Sequence, residues 1–343
     1  MAKKRKALRW ALGLFFILLI LAGFALWGVF GPNTGDFKED DYLYVRTGST
    51  YADVRSSLKD DGFVKNIESF DVVARRANYP AMVKAGKYKI RRGMSNYNIV
   101  RMLRNGKQVP VKLVVNKLRT EQDLVNLISK NLEADSNELK ALLNDNNFLD
   151  SFGLKDETAM AAIMPDTYEF WWNTRAKKAY SKIAKYYTEY WNEDRKQKAD
   201  QKSMTPAEVV IMASIVEEET NKHDEKGNIA SVYMNRIKNG MPLQADPTVK
   251  FAVNNFALRR IAGDMLRHPS PYNTYVHKGL PPGPICTPSK RSIEAVLNAP
   301  ATDYIYFCAK EDFSGYHRFA SNYNEHMRNA RLYQRALNER NIH

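Results

Sequence analysis

The sequence predicts an α+β protein that consists of an N-terminal transmembrane helix, a small α+β repeat subdomain and a mixed α/β domain. Three observations predict this arrangement. An uncharged apolar run occupies positions 10–30, a strand–glycine–helix pattern then occurs twice, and the rest of the chain alternates helical and extended patterns. The predicted segments are a basic tail (1–9), a transmembrane helix (10–30), a linker (31–41), the repeat subdomain (42–110) and a large C-terminal domain (111–343).

The composition is that of a globular protein with a strong positive charge. Of its 343 residues, 44% are hydrophobic and 26% are charged, and the formal net charge at pH 7 is +14. This length is enough for a membrane anchor and two domains of ordinary size. The charge favours polyanionic partners such as nucleic acid, anionic lipid headgroups or a carboxylate-bearing polymer such as a cell wall.

The first thirty residues predict a membrane anchor. KKRK (residues 3–6) and Arg9 precede the apolar run, which carries no charge. As a helix, its ~21 residues span roughly 31 Å and so cross the ~30 Å hydrocarbon core of a bilayer. The run is longer than a signal-peptide core, and no small-residue cleavage site follows it, although a cleaved signal peptide is the alternative. LAGF (residues 21–24) has phenylalanine where a lipoprotein carries its modified cysteine, so lipidation is not expected.

The position of the basic residues predicts the topology. Basic flanks stay in the cytoplasm, so we expect a single-pass protein of the inner (cytoplasmic) membrane whose chain after Pro32 is periplasmic or extracytoplasmic. A translocated domain meets no genome, which excludes nucleic acid. Cys286 and Cys308 would then face an oxidising compartment and could pair, although Cys308, in the apolar run YIYFCA, is more typical of a small core residue. The histidines lack the spacing of a zinc site, and neither a metal nor another cofactor is expected.

An internal repeat follows the linker. VRTGSTYADVRSSLKDDG and IRRGMSNYNIVRMLRNG each predict a short strand, a glycine turn, a Ser/Thr helix cap and an amphipathic helix. A unit of this kind resembles LysM-type glycan-binding modules, and a small spacer domain that binds nothing is the alternative. The aligned pairs are Gly48 and Gly93, Thr50 and Ser95, Val54 and Ile99, and Leu58 and Leu103.

The stretch TPAEVVIMASIVEEETNK, which begins at Thr205, contains the candidate catalytic group. Thr205, a proline and Glu208 form a helix-start signal, and the apolar run that follows ends in three glutamates. Glu217 continues the stripe of buried positions, whereas Glu218 is rotated about 100° away from it. Burial, the helix C-terminus and the neighbouring carboxyls should all favour the protonated form of Glu217, which is what a general acid requires. A solvated helix end is the alternative, and it fits Glu218 better than Glu217.

Two downstream segments add polar and aromatic groups. LQADPTV brings together Gln244, Asp246 and Thr248, and ADPT is typical of a turn. A long proline-stiffened loop follows, and loops of this length in compact domains are usually functional. It offers rings and hydrogen-bonding groups for a sugar chain at Tyr272, Asn273, Thr274 and Tyr275. The aromatic segment AAIMPDTYEFWW (residues 161–172) fits either a sugar-binding groove or core packing.

Four segments together resemble the signature of the MltG (YceG-like) endolytic murein transglycosylases: ASIVEEET, LQADPTV, YNTY and GLPPGPI. Two further segments also resemble parts of this family, MPDTYEF and GYHRFASNYNEH. The resemblance covers nearly everything after Tyr42 and implies that residues 111–343 form a catalytic domain. It places the family's acid on Glu217 and its second glutamate on Glu219. Met164 and Met327 depart from the family pattern, at positions that concern packing or cleft edges. The implied substrate-binding residues are Ser214, Glu219, Gln244, Asp246, Thr248, Tyr272, Asn273, Thr274 and Tyr275.

The resemblance implies cleavage of the β-1,4 bond between N-acetylmuramic acid and N-acetylglucosamine in nascent peptidoglycan strands. Glu217 would act as acid and then as base, closing a 1,6-anhydro ring, and strand elongation could end there. The expected partners are glycan strands and the lipid bilayer, the latter through residues 10–30. The resemblance is also compatible with contacts to peptidoglycan synthases. The alternatives are a lysozyme-like hydrolase that uses Glu217 and Asp246, and a non-catalytic wall-binding scaffold. We expect Glu217→Gln to remove cleavage while leaving folding intact.

Overall fold

The computed structural model describes residues 2–258 and 260–340, so Met1 of the predicted tail and Arg259 and residues 341–343 of the predicted C-terminal domain lie outside the described residues. The fold is α+β, as predicted. The helices are α1 (Ala2–Phe30), α2 (Tyr51–Asp60), α3 (Ile67–Arg76), α4 (Asn96–Asn105), α5 (Glu121–Asn131), α6 (Ser136–Leu143), α7 (Asn146–Asp150), α8 (Ala176–Tyr190), α9 (Glu193–Gln201), α10 (Pro206–Glu219), α11 (Lys226–Lys238), α12 (Asp246–Ala252), α13 (Lys290–Leu297) and α14 (Tyr323–Glu339). The strands are β1 (Leu43–Val45), β2 (Gly86–Tyr88), β3 (Val111–Val115), β4 (Asp166–Phe170), β5 (Tyr306–Ala309) and β6 (His317–Ala320).

The chain divides into two compact units. The first contains residues 1–112, 131–133 and 169–174, and the second contains residues 113–130, 134–168 and 175–343. The strands form two-stranded sheets, β1 with β2, β3 with β4 and β5 with β6.

In the first unit, both copies of the repeat form the predicted glycine turn and capped helix, but the strand of the second copy, β2, ends at Tyr88, two residues before the predicted segment begins at Ile90. β1 and β2 pair antiparallel, with Leu43 opposite Tyr88. Each strand is followed by a glycine in the left-handed region, where the missing Cβ removes the steric penalty, Gly48 at φ +86° and Gly93 at φ +80°. Thr50 and Ser95 then cap α2 and α4 through their side chains. The aligned apolar pairs are all buried in one core: Val54, Ile99, Leu58 and Leu103.

Helix α1 belongs to the first unit. It begins at Ala2, so the described part of the predicted tail is helical, and its stretch Arg5–Phe30 is long and apolar enough to cross a membrane. This property fits a single-pass anchor and also a signal sequence. The segment predicted as a linker is packed against the unit, because Asn33 is buried there and donates hydrogen bonds from its side chain to Asn66 and Asn96.

The second unit is built around α10. All eight residues from Val209 to Val216 are buried, as expected for a helix that is covered on every side. It packs against α11, α12 and α13, which carry polar groups to its C-terminal end. β5 and β6 form an antiparallel hairpin near the C-terminus, with Tyr306 opposite Ala320.

Both cysteines are free thiols, so the pairing that the sequence allowed does not occur in this structure. Cys286 is buried, and desolvation raises the pKa of its thiol. Cys308 lies in β5 and is half-buried, so it is not the core residue that its apolar context indicated.

Candidate active site

Local sequence signals fix the start and direction of α10. The Thr205 hydroxyl accepts a hydrogen bond from the Glu208 amide, and the Glu208 carboxylate accepts one from the Thr205 amide, which completes a capping box. Pro206 occupies the first turn, where its missing N–H is not needed. The helix then runs through the core and ends at Glu219, so its last turn carries three consecutive carboxyl groups.

Glu217 lies at the edge of the core and accepts hydrogen bonds from three side chains on the same oxygen. Lys226 Nζ lies 2.9 Å and Ser289 Oγ 2.8 Å from its Oε2, and Ser292 Oγ also donates to this atom. The Glu217 side chain is 16% exposed, whereas Lys226 is 2% exposed. Among the residues that the structure describes, no donor contacts Oε1. One oxygen is therefore held by the protein, and the other is free to meet a ligand.

The protonation expected for Glu217 from the sequence is wrong. Burial does raise the pKa of its carboxyl, but the hydrogen bonds from Lys226, Ser292 and Ser289 and the charge of Lys226 together outweigh burial. The net pKa lies below its usual value, so the carboxylate is the resting form.

The three partners of Glu217 were missed by the sequence analysis. Lys226 is the first residue of α11. Ser289 caps α13, and Ser292 lies in its first turn. Lys226 Nζ also donates to Ser292 Oγ at 2.7 Å, so the lysine links α11, α13 and Glu217. A lone lysine in a polar segment (HDEKGN) gives no local signal of burial.

Glu218 pairs with a different part of the unit. Its carboxylate lies 2.9 Å from Lys117 Nζ and 3.2 Å from an Arg119 nitrogen. Burial raises its pKa, but the Lys117 hydrogen bond and both positive charges lower the pKa more, so Glu218 is a carboxylate. Its side chain is only 19% exposed, close to the 16% of Glu217, so Glu218 is charged but is not the solvated helix end that the sequence indicated.

Glu219 is the carboxyl in this turn that holds a proton most strongly. Desolvation raises its pKa to about 7; the Tyr233 hydroxyl, which donates to Oε1 at 2.6 Å, works against this rise, and the nearby charge of Asp246 adds to it. Asp246 in turn accepts a 2.6 Å hydrogen bond from the Tyr275 hydroxyl. The protonated acid expected at Glu217 therefore lies two residues further along the helix.

The charge state of Glu219 predicts a pH dependence of stability. The folded state keeps this proton up to about pH 7, whereas the unfolded chain loses it near the ordinary pKa of 4.5, so the folded state binds more protons in this window and its stability falls as pH rises. Glu219→Gln imitates the protonated form. We expect its melting temperature to exceed that of wild type by roughly 5 °C at about pH 8 and to equal it at about pH 4.

The matched control is Glu138→Gln, which neutralises an exposed carboxylate on α6. Its melting temperature should follow that of wild type across the same pH range. Parallel curves for Glu219→Gln and wild type would contradict the elevated pKa of Glu219.

Thr248 and Thr274 are brought together by one hydrogen-bond network, and Asp246 lies beside it in the chain. The Thr248 and Thr274 hydroxyls lie 2.8 Å apart, and the Ala245 amide donates to Thr274 Oγ1 at 3.0 Å. Both threonines are buried, so they position the loop and do not face solvent. Asp246 is exposed and begins the helix α12, so the turn predicted for ADPT is wrong. Pro247 is acceptable there because it lies in the first turn.

The remaining predicted residues divide between exposed and buried positions. Gln244 is exposed at φ +54°, and its side-chain oxygen accepts a hydrogen bond from Arg236 at 3.2 Å. Asn273 is buried and donates to the Leu266 and His268 carbonyls. Tyr272 is half-buried, with its ring 4.6 Å from that of Phe251.

Ser214 is fully buried inside α10. Its hydroxyl donates to the Ile211 carbonyl at 2.7 Å and accepts from the Ile285 amide at 3.0 Å. The serine therefore joins the helix to the GLPPGPI segment, which explains why a polar residue interrupts the apolar run. Its hydroxyl has no route to a ligand in this arrangement.

Comparison with known proteins adds an independent line of information. The YceG-like family matches residues 43–332. The chain is 28% identical over 339 residues to the endolytic murein transglycosylase of Bacillus subtilis (strain 168), with 94% of this chain and 93% of the relative covered. It is 27% identical over 360 residues to the endolytic murein transglycosylase of Streptococcus pneumoniae serotype 2, with 92% of this chain and 63% of the relative covered. A crystal structure of a YceG-like protein from Listeria monocytogenes aligns with a TM-score of 0.55 at 26% identity, covering 84% of this chain and 98% of that one.

Proposed function

Because the chain belongs to the YceG-like family, we propose that it is an endolytic murein transglycosylase whose catalytic residue is Glu217. The enzyme cleaves peptidoglycan strands between N-acetylmuramic acid and N-acetylglucosamine and leaves 1,6-anhydro ends. One observation carries this proposal: all three donors contact Oε2 of a mostly buried carboxylate. Among the described residues, this leaves Oε1 without a donor and open to a sugar oxygen.

Glu217 performs two proton transfers in sequence. As an acid, it protonates the glycosidic oxygen while the bond from the muramic C1 breaks. As a carboxylate, it then takes the proton from the muramic C6 hydroxyl, whose oxygen bonds to C1 and closes the anhydro ring. The carboxyl returns to its starting protonation state after each cycle. The reaction therefore consumes no water and needs no second carboxylate as nucleophile.

Lys226 resolves the conflict between the acid role of Glu217 and its low pKa. In the free enzyme, the ammonium and carboxylate form an ion pair, with Nζ 2.9 Å from Oε2. A glycan strand that covers Glu217 removes its remaining contact with water, and the loss of water penalises two charges more than two neutral groups. Lys226 then gives up one proton and the carboxyl gains one on Oε1, the oxygen that faces the sugar, so the acid forms only when substrate is bound.

The other predicted residues have two kinds of role. Gln244, Asp246, Tyr272 and Tyr275 keep exposed or half-buried groups, and we assign them to contacts with the glycan strand. Ser214, Thr248, Asn273 and Thr274 are buried and hydrogen-bonded inside the unit, and we assign them to positioning of the loops. Glu219 accepts a hydrogen bond from the Tyr233 hydroxyl, and the charge of Asp246 raises its pKa.

Digestion of purified glycan strands tests the reaction type. We expect mass spectrometry to find 1,6-anhydro ends, whose mass is lower by one water than that of reducing ends. A hydrolase that uses Glu217 and Asp246 would release reducing ends, since the second carboxylate would either form a glycosyl-enzyme that water resolves or activate water directly. A non-catalytic scaffold would leave strand length unchanged.

The same digest addresses location. We propose that residues 10–30 anchor the enzyme in the cytoplasmic membrane, with residues 31–343 outside, where new strands emerge and synthases work. Cutting there would end strand elongation. Anchoring restricts the reach of the site, so full-length protein in proteoliposomes should release strands of a narrower length range than a chain that lacks residues 1–26. Identical length distributions would contradict this placement.

A further inference from the structure

The first unit contains a cavity with a strongly positive lining. Its volume is about 490 Å³, and its lining includes Lys89, Arg91, Arg101 and Lys107 but no carboxylate. Among the described residues, none of these four side chains forms an ion pair. Cations gathered without counter-charges repel one another, so a bound anion would relieve the repulsion.

Three of the four cations are specific to the second copy of the repeat, whereas Arg91 falls opposite Arg46. In the alignment that pairs Gly48 with Gly93, Lys89 falls opposite Tyr44 and Arg101 opposite Ser56. Both copies nevertheless form the same strand, glycine turn and capped helix. The fold therefore does not require these cations, which favours a binding role for them.

The cavity lies next to the end of α1. Met94 lines it, and the Met94 carbonyl accepts a 3.1 Å hydrogen bond from the Asn33 amide, three residues beyond the last residue of α1. Three residues span at most about 11 Å. The neighbouring Asn96 donates to the Gly28 carbonyl at 2.8 Å, and the rings of Tyr97 and Phe30 lie 5.4 Å apart. If α1 crosses a bilayer, the cavity lies at the level of the lipid headgroups.

We propose that this cavity binds the phosphate headgroup of an anionic phospholipid in the membrane that α1 enters. The inference rests on the proposed anchoring role of α1. Lys and Arg groups near an anionic bilayer surface attract its headgroups, and unpaired side chains keep their full charge for this contact. Glu39 lines a smaller cavity, of about 250 Å³, that shares Lys89 and Arg91. A lipid held here would fix the orientation of the first unit on the membrane.

Titration of the full-length protein with a fluorescent phosphatidylglycerol, in micelles of a zwitterionic detergent, tests this site. We expect saturable binding to wild type and much weaker binding of fluorescent phosphatidylcholine. Each cation removed should raise the apparent Kd about fivefold, so Arg101→Gln combined with Lys107→Gln should raise it about 25-fold. The matched control combines Lys59→Gln with Lys65→Gln, which removes two exposed cations from another part of the first unit, and its Kd should stay within about twofold of wild type.

Three outcomes would overturn the proposal. Equally weakened lipid binding by both double variants would mean diffuse attraction to the positively charged unit. Equal binding of the two lipids would mean that the protein does not recognise the headgroup charge. Displacement of the lipid by soluble glycan strands would assign the cavity to the wall polymer instead. The cavity variant should cleave soluble strands at the wild-type rate, so failure of this site and failure of the transglycosylase assignment are distinguishable.

Discussion

Glu217→Gln is expected to lower the rate of strand cleavage about 10⁴-fold, at the upper end of what a general acid–base group contributes, because one side chain serves both proton transfers. Glutamine keeps the shape and the hydrogen bonds from Ser289 and Ser292 to its carbonyl oxygen but cannot give or take a proton. The measurement is the rate at which anhydro ends appear in a glycan digest. Binding of intact strands, followed by co-sedimentation with the wall polymer, should persist.

The same substitution also tests the ion pair. Lys226 is almost completely buried, and Glu217 is its counter-charge, so glutamine leaves an ammonium group without a partner. Removing one member of a buried pair typically costs about 3 kcal/mol or more of unfolding free energy. The sequence-based expectation that Glu217→Gln leaves folding intact is therefore replaced. Glu217→Gln combined with Lys226→Met removes both charges, and we expect it to recover most of the lost stability while staying inactive.

Cleavage at the wild-type rate by either of these variants would exclude Glu217 as the acid. Asp246→Asn and Glu219→Gln would then be the next variants to measure, because their carboxyls lie in the same electrostatic environment. Circular dichroism would show whether Glu217→Gln is inactive only because the protein is unfolded. The double variant, which keeps the fold, separates that case from lost chemistry.

The elements that depend on local pattern were predictable from the sequence. The capping box at Thr205, the buried run of α10 and the two strand–glycine–helix copies each arise from residues within a few positions of one another. These predictions agree with the structure because no distant residue is needed to form a capped helix or a glycine turn.

The environment of Glu217 was not predictable in this way. The neighbours of Glu217 on its own helix favour a protonated acid. The groups that instead lower its pKa are Lys226 on α11 and the side chains of Ser289 and Ser292. The two serines lie more than seventy positions further along the chain. Glu219 shows the same limitation, since its raised pKa depends on burial and on Asp246. A charge state is set by tertiary contacts, and a single sequence does not list them.

Lys226→Met is expected to make cleavage depend on pH in a way that wild-type cleavage does not. Without the ammonium group, Glu217 keeps its burial but loses the strongest interaction that lowers its pKa, so its pKa rises. The variant must then take its proton from solvent, and its activity should fall as pH rises through that new value. We expect a loss of about 100-fold at about pH 7 that shrinks to about tenfold or less at about pH 5, measured as kcat/KM for strand cleavage.

A purely structural role for Lys226 would give a different result, because a distorted site loses the same factor at every pH. The matched control is Lys238→Met, which removes an exposed lysine from the same helix and should leave both the rate and the pH profile unchanged. If Lys226→Met keeps the shape of the wild-type pH profile at a lower rate, the lysine only positions Glu217, and the proton reaches the carboxyl by another route. A profile that rises toward low pH means instead that this buried ammonium supplies the proton for glycosidic cleavage near neutral pH.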